Sequence, residues 1–339
     1  MGNTNSNLHA AKAAKNDEFY TRLEDIENEL RHYRHHFKGK TILCNCDDPR
    51  VSNFFRYFAL NFETFGLKKL IATCYKNQNA DLFSQHDCEK AVYIVYEGDR
   101  NGNGVPDLSE IEVLPLEGDG DFRSEECVRL LEEADIVCSN PPFSLFREYV
   151  AQLMEHKKKF IIIANKAAIT YKEFFPFIKN NQIWPGNRNW AGGMWFVTTN
   201  EDDVDKIIDG QNLKNVPAIW LTNLDISKRH EELILFRNYT PEAYPKYDNY
   251  DAINIDKVAD IPCDYDGVMG VPITFLDKYN PEQFEILGMF GNFEPEVSKV
   301  NPALICGADV RYMKIPGLST GPVVNRVAKY KRVLIRKIK

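Results

Sequence analysis

Apolar and polar positions alternate along this chain in two rhythms, and the rhythms mark out its elements. From Asp17 to Phe37 the residues Leu23, Ile26, Leu30, Tyr33 and Phe37 recur at steps of three and four, which predicts one face of a helix. Thr41-Ile42-Leu43-Cys44-Asn45-Cys46 reads as a buried strand. In the polar turn Asp47-Asp48-Pro49-Arg50, Asp48 is expected to cap a helix with Pro49 in its first turn and Phe54, Phe55, Phe58, Phe62 and Phe65 on its apolar face. Lys68 to Tyr75 predicts a second strand, and Ala91–Tyr96 with Ile111–Leu114 a hairpin. A short helix is expected from Glu125 to Glu133. Asp135 to Ser139 is a buried strand that stops at Asn140-Pro141-Pro142-Phe143, after which Ser144 opens a helix-like segment. Lys159 to Asn165 is another fully apolar strand, and Met194–Thr199 with Pro217–Asn223 are expected as an antiparallel edge of the same sheet.

Strands alternating with helices predict an α/β fold with a mostly parallel sheet covered on both faces. Beyond about residue 236 the texture becomes irregular and rich in Tyr, Pro and Asp, as in Tyr244-Pro245-Lys246-Tyr247-Asp248-Asn249-Tyr250. The boundary is therefore set there, with one domain at residues 1–235 and a second region at 236–339. The chain shows no internal repeat.

Composition narrows the class. A hydrophobic fraction of 44% with 27% charged residues in 339 residues is that of a globular protein large enough for one α/β domain and a smaller one. No apolar run approaches a membrane span and the polar start, Met1-Gly2-Asn3-Thr4-Asn5, is no signal peptide, so a cytoplasmic protein without a membrane partner is expected. The eight cysteines include no Cys-x-x-Cys pair and are expected as reduced thiols, with no metal ligands among them. A net charge of −7 argues against nucleic acid only weakly, because distribution matters more: Arg326 to Lys339 holds seven Lys or Arg and no acid. That tail suits either phosphate contacts or an ordinary strand around Val333-Leu334-Ile335.

The chemistry concentrates at Asn140-Pro141-Pro142-Phe143. Two prolines fix φ and remove backbone donors, so the Asn140 and Pro141 carbonyls become oriented acceptors beside the Asn140 side-chain oxygen. Acceptors of this kind suit an exocyclic amino group on a nucleobase, whose lone pair is delocalised into the ring. Hydrogen bonds from that nitrogen would pull it toward tetrahedral geometry and localise the pair for attack. Phe143 would stack on the base, a contact worth about 1–3 kcal/mol.

The turn after the first strand has no Gly-x-Gly, which disfavours a dinucleotide pyrophosphate. Asn45, Asp47 and Asp48 instead offer acceptors for ammonium and hydroxyl groups. Asp121-Phe122, in Gly120-Asp121-Phe122-Arg123-Ser124, could accept from an adenine amino group and cover its ring, or simply form a turn with a helix cap. Asp99 to Glu110 satisfies the spacing of a calcium loop letter by letter. The flanks read as strands where that motif needs helices, so no metal is expected.

Taken together, these pieces resemble the adenine-specific DNA methyltransferases of the EcoRI type, across nearly the whole chain. The resemblance rests on Asp17-Glu18-Phe19-Tyr20-Thr21, Asn45-Cys46-Asp47-Asp48-Pro49-Arg50-Val51-Ser52-Asn53, Gly120-Asp121-Phe122-Arg123-Ser124 and Asn140-Pro141-Pro142-Phe143. It continues in Thr170-Tyr171-Lys172-Glu173 with Trp184, and in Gly267-Val268-Met269-Gly270-Val271-Pro272-Ile273-Thr274-Phe275. The resemblance implies a Rossmann-like class I methyltransferase with a mostly parallel seven-stranded sheet and a C-terminal target-recognition region. It also implies S-adenosylmethionine as cofactor and double-stranded DNA as partner, with a cognate restriction endonuclease acting on the same DNA without a stable complex.

On that resemblance Phe19, Tyr20 and Thr21 cap the cofactor, Asn45, Asp47 and Asp48 meet its amino-acid end, and Asp121 and Phe122 hold its adenine. Asn140 to Phe143 receive the target base, and Asn140 also borders the cofactor. Two features depart from the wider class: the glycine-rich cofactor loop is absent, and no carboxylate ends the second strand, where Thr73-Cys74-Tyr75-Lys76 stands. Arg188, Lys228, Arg229, His230 and Arg237 are candidate DNA contacts. Transfer to a protein glutamine or an RNA guanine, and a non-catalytic DNA-binding module, remain as alternatives to DNA adenine methylation.

Overall fold

The computed structural model describes residues 20–46, 52–74, 91–103, 106, 110–198, 201–290 and 321–338. The apolar face predicted near the N-terminus is fully used: Ile26, Leu30, Tyr33 and Phe37 have no solvent exposure. They lie along helix α1 (Leu23–Leu30), a 3₁₀ turn (Arg31–Tyr33) and a further helical turn (Arg34–Phe37). Helix α2 (Asn53–Leu60) packs beside it, with Phe54, Phe55, Tyr57 and Phe58 buried. Ser52, not Asp48, caps α2, its Oγ accepting from the Phe55 amide. Asp48 and Pro49 themselves lie outside the described residues.

The chain divides into two compact units, Met1–Pro176 with Ile183–Ile226, and Phe177–Gln182 with Ser227–Lys339. The first is built on a large sheet. Its strands are β2 (Thr41–Cys44), β3 (Lys69–Thr73), β4 (Val92–Tyr96), β5 (Glu112–Pro115), β6 (Ile136–Ser139), β7 (Lys159–Asn165), β8 (Trp184–Pro185) and β12 (Ala218–Thr222). Their order is β5-β4-β3-β2-β6-β7-β12-β8.

Only the four central strands are parallel, through the pairs β2–β3, β2–β6 and β6–β7. The hairpin β4–β5 joins one side antiparallel, and β12 and β8 join the other. The sheet is thus eight-stranded and mixed, where a mostly parallel seven-stranded sheet was expected. The extra antiparallel edge is β8, a two-residue strand too short to leave a periodic signal.

A second correction concerns β9 (Met194–Val197), which lies outside the large sheet. It pairs with β1 (Tyr20–Thr21) and with β11 (Gln211–Val216), itself paired with β10 (Lys206–Ile208). Pro217 separates β11 from β12, so one extended run serves two sheets. Helix α3 (Glu125–Glu133) is capped by Ser124, whose Oγ accepts from the Cys127 amide at 3.2 Å. Helix α4 (Phe146–Glu155) buries Phe146, Tyr149, Val150 and Leu153, the i, i+3, i+4 face of an amphipathic helix.

The second unit carries a four-stranded sheet of β13 (Ile253–Asn254), β14 (Met269–Pro272), β15 (Phe284–Phe290) and β18 (Arg332–Lys337), ordered β13-β14-β18-β15. The short hairpin of β16 (Val323–Val324) and β17 (Val327–Ala328) precedes β18. The basic tail therefore splits: Arg332 to Lys337 is an interior strand with Val333, Leu334 and Ile335 fully buried, while Arg326 lies in the exposed turn of the hairpin ahead of it. Among the described residues no helix is long and apolar enough to cross a membrane.

Candidate active site

In an open α/β sheet the ligand crevice lies where the chain reverses its direction of travel across the strands, outside their carboxyl ends. Here the chain runs from β2 outward to β3 on one side and later places β6 and β7 on the other. The crevice is therefore between β2 and β6. Asn45 and Cys46 follow β2 at that edge, and Asn140-Pro141-Pro142-Phe143 follows β6. Two separate sequence predictions thus arrive at neighbouring strand ends.

Hydrogen bonds lock them together. Ser139 Oγ donates to the Asn45 carbonyl, and Tyr149 Oη donates to Asn45 Oδ1 at 2.5 Å. Tyr149 is 0% exposed, and burial pushes its phenol well above the ordinary value of 10, so the hydroxyl keeps its proton and acts as donor. Asn45 is 8% exposed, its side chain held in one orientation by that donor. Cys46 then takes φ 83°, in the positive range that few non-glycine residues adopt.

On the other side of β2, Gly120 brings the Asp121-Phe122 loop against the end of β3. Its φ is +79° and a Cβ there would sit 2.3 Å from the Cys74 carbonyl oxygen, so only glycine fits. Asp119 Oδ1 accepts from the Asp121 amide at 3.0 Å, an Asx turn that fixes the loop. The Asp121 carboxylate forks onto Arg123, with Oδ1 to Nε at 2.9 Å and Oδ2 to Nη2 at 2.7 Å, and Glu148 takes a further Arg123 nitrogen. Phe122 is buried edge-on against Tyr149, ring centroids 5.2 Å apart, and Gln152 holds its carbonyl at 3.0 Å. Tyr149 thus touches both the loop after β2 and the loop before α3.

In the Asn-Pro-Pro-Phe turn itself, Pro141 is buried and Phe143 half-buried against the core, and the Asn140 side-chain oxygen is shielded from solvent. The Pro142 carbonyl accepts from the Leu145 amide at 3.1 Å, starting the 3₁₀ turn Phe143–Leu145 that leads into α4. Tyr20 and Thr21 form β1, and Asn53 Nδ2 donates to the Thr21 carbonyl at 2.8 Å, tying that strand to the start of α2. Thr21 is 2% exposed and its Oγ1 has no hydrogen-bond partner among the described residues. Phe19, Asp47 and Asp48 lie outside the described residues.

Tyr149, Ser139 and Asn53 were not anticipated. The one available signal was a hydroxyl on the otherwise apolar face Phe146, Tyr149, Val150, Leu153. The suggested DNA contacts are engaged internally: Arg188 with Asp25 at 2.7 Å, Lys228 with Asp277 at 2.7 Å, His230 with Glu282 at 3.0 Å, Arg229 with Asn181 at 3.0 Å and Arg237 with Asp260 at 3.6 Å.

Cys44, Cys46, Cys127, Cys138 and Cys263 are in no disulfide, whereas Cys74 is disulfide-bonded, a departure from the all-thiol expectation. In the Asp99–Glu110 segment, Asp99, Asn101 and Glu110 spend side-chain oxygens on backbone amides of Gly102, Asn103 and Asn101. No group of three or more His, Cys, Asp or Glu placed to hold a metal occurs among the described residues.

Comparison with known proteins reaches the same region of function. The family model described as Adenine-specific methyltransferase EcoRI matches residues 7–338. The chain is similar to the Type II methyltransferase M.EcoRI of Escherichia coli, 51% identical over 292 residues, 84% of this chain and 89% of that protein. It is similar also to the Type II methyltransferase M.MpnI of Mycoplasma pneumoniae, 39% identical over 294 residues, 84% of this chain and 86% of that one. A third relative, M.MgeORF184P of Mycoplasma genitalium, is 36% identical over 296 residues, 84% of this chain and 86% of that one. No solved structure matches the chain.

Proposed function

The chain belongs to the EcoRI family of adenine-specific methyltransferases, and from that premise we propose that it methylates N6 of an adenine rotated out of duplex DNA, received by Asn140 to Phe143. It is an adenine-specific Type II DNA methyltransferase that uses S-adenosylmethionine. The observation that carries the proposed site is the placement of Asn140-Pro141-Pro142-Phe143 at the carboxyl end of β6, directly beside the end of β2 at the sheet's switch point. A Rossmann-like class I arrangement is the fold reading that this topology supports.

The residues at this edge suit the cofactor. S-adenosylmethionine supplies, when bound, a methyl group on a positively charged sulfur. The buried, unpartnered Thr21 hydroxyl offers a polar contact, and Tyr20 lies beside it. Asn45 presents a backbone and side-chain amide at the end of β2, and Asp47 and Asp48, next in sequence, are proposed to meet the cofactor's amino-acid end with it. Phe122 covers the adenine ring, and Asp121, already charge-paired with Arg123, accepts from its amino group through a remaining lone pair. Phe19 completes the cap.

The target base needs no charged general base. Its amino group donates to the Asn140 and Pro141 oxygens, which localises the nitrogen lone pair toward the methyl carbon. Phe143 stacks on the ring and offsets part of the few kcal/mol that unstacking a base costs. Rotation of the base out of the helix is required because the amino group is paired inside a duplex. The region 236–339 is proposed to recognise the DNA sequence, and a cognate endonuclease to cut that sequence in the cytoplasm when it is unmethylated.

Expression in a host lacking adenine methylation, followed by methylation-aware sequencing, tests the reading. One short motif should carry N6-methyladenine at nearly every occurrence. Unmodified DNA together with methyl label in protein or RNA would transfer the reading to another amino acceptor.

A further inference from the structure

The hairpin ahead of the last strand combines a costly backbone, a firm anchor and an exposed tip. Its two-residue turn is Asn325-Arg326, with φ of 49° and 64°, the signature of a type I′ turn. Asparagine is at home in the first position, but the second is where glycine costs least, and here it is arginine. The tip is clamped: Asp248 Oδ1 accepts from the Asn325 amide at 3.1 Å and Oδ2 from the Arg326 amide at 2.6 Å. The root is clamped as well, since Asn249 Nδ2 donates to the Gly321 carbonyl at 2.8 Å and its Oδ1 accepts from the Val323 amide at 3.1 Å.

The first strand of the ribbon, Val323 and Val324, is buried, while Val327 in the second is 61% and Tyr330 beyond it 90% exposed, with Arg326 exposed at the turn. Lysines 329 and 331 flank the tyrosine, and no acidic residue follows Arg326 to the end of the chain. Asp248 holds the two turn amides, and Asp256 pairs with Lys329 and Arg332.

We propose that this hairpin, Val323–Ala328 with Tyr330 beyond it, enters a groove of the duplex and reads base edges through Arg326. The proposal rests on the reading that the region beyond 236 recognises DNA. A two-stranded ribbon fits a major groove about 12 Å wide, and a rigidly aimed arginine there forms the paired contact to guanine O6 and N7. Duplex DNA is the occupant because the exposed turn presents Arg326, no acid follows it in the chain, and the exposed Tyr330 ring is able to lie against bases or thymine methyls. Clamping the turn reduces the ordering cost of inserting it.

Arg326→Gly in the full chain separates recognition from folding, since glycine is the favoured residue at that φ. The variant should melt at the parent's temperature and bind S-adenosylmethionine as the parent does. Its kcat/KM on a 30-base-pair duplex carrying the parent's motif should fall about 10- to 100-fold, and sequencing of methylated genomic DNA should show one base pair of the motif relaxed. An unchanged rate and motif would overturn the proposal. Hydrogen exchange of the parent with and without that duplex distinguishes the two levels. Protection at 321–331 supports the hairpin; protection elsewhere in 227–339 overturns it and leaves the regional reading intact; protection confined to 20–226 removes both.

Discussion

At the scale of single residues, the site depends on oxygen atoms whose directions are set by neighbours. Asn140→Ala removes the side-chain acceptor but leaves the prolines and Phe143, so S-adenosylmethionine binding should persist while methylation of DNA falls by about 10²-fold or more. Equilibrium binding of the cofactor and single-turnover methylation measure the two separately. Tyr149→Phe deletes the 2.5 Å bond to Asn45 Oδ1 and leaves that buried amide without its donor. The expected result is a loss of about 1–3 kcal/mol in stability and a raised KM for S-adenosylmethionine with kcat on DNA little altered. Thiol reactivity follows burial in the same way. Cys138 is fully buried and its thiol is pushed far up by desolvation, so iodoacetamide at pH 8 should label the half-buried Cys46 and Cys263 and spare Cys138.

At the scale of elements, loops are held by single residues that no periodicity reveals. Gly120 permits the Asp121-Phe122 loop to lie on the Cys74 carbonyl; Gly120→Ala adds about 1–3 kcal/mol of backbone strain before the 2.3 Å clash is counted, and should lower the melting temperature and weaken cofactor binding together. Glu29 on α1 is 1% exposed and accepts from Tyr33 Oη at 2.8 Å, the Asn187 amide at 2.6 Å and the Arg188 amide at 2.8 Å. It thereby fixes the segment after β8 to the first helix. Glu29→Ala should cost about 3–5 kcal/mol in chemical denaturation, because one buried and two part-buried donors lose their acceptor at once. The elements themselves were largely legible. Helix faces and the strands β2, β6 and β7 are long apolar runs whose spacing leaves one interpretation. The two-residue strands β1 and β8 carry no such signal.

At the scale of the whole molecule, no sheet is shared between the two units, and the C-terminal one holds a contact that responds to pH. In the C-terminal unit the Asn254 side chain first, then Lys329 and Arg332, hold the Asp256 carboxyl below the ordinary value of 3.8. Because the folded value is the lower one, this contribution is complete above the unfolded value and is lost as pH falls through the folded one, below about pH 4. Asp256→Asn should therefore be less stable than the parent at pH 7, and the gap should close toward pH 3 in denaturant titrations.

What the amino-acid order determined unaided was local: which runs are buried, where Asn-Pro-Pro-Phe interrupts a strand, and which polar stretches follow the first and third parallel strands. Those features depend on neighbours within a few positions, through φ restriction and side-chain period. The tertiary structure alone decided that these two turns are adjacent, that Tyr149 braces both the Asn45 and Phe122 loops, and that four antiparallel strands flank a parallel centre. It also decided that Arg188, Lys228 and Arg237 are engaged within the protein while Arg326 is presented at a turn. Each of those outcomes is a pairing between residues distant in the chain, set by sheet order and by competition among charges for partners, and neither is encoded in any short window.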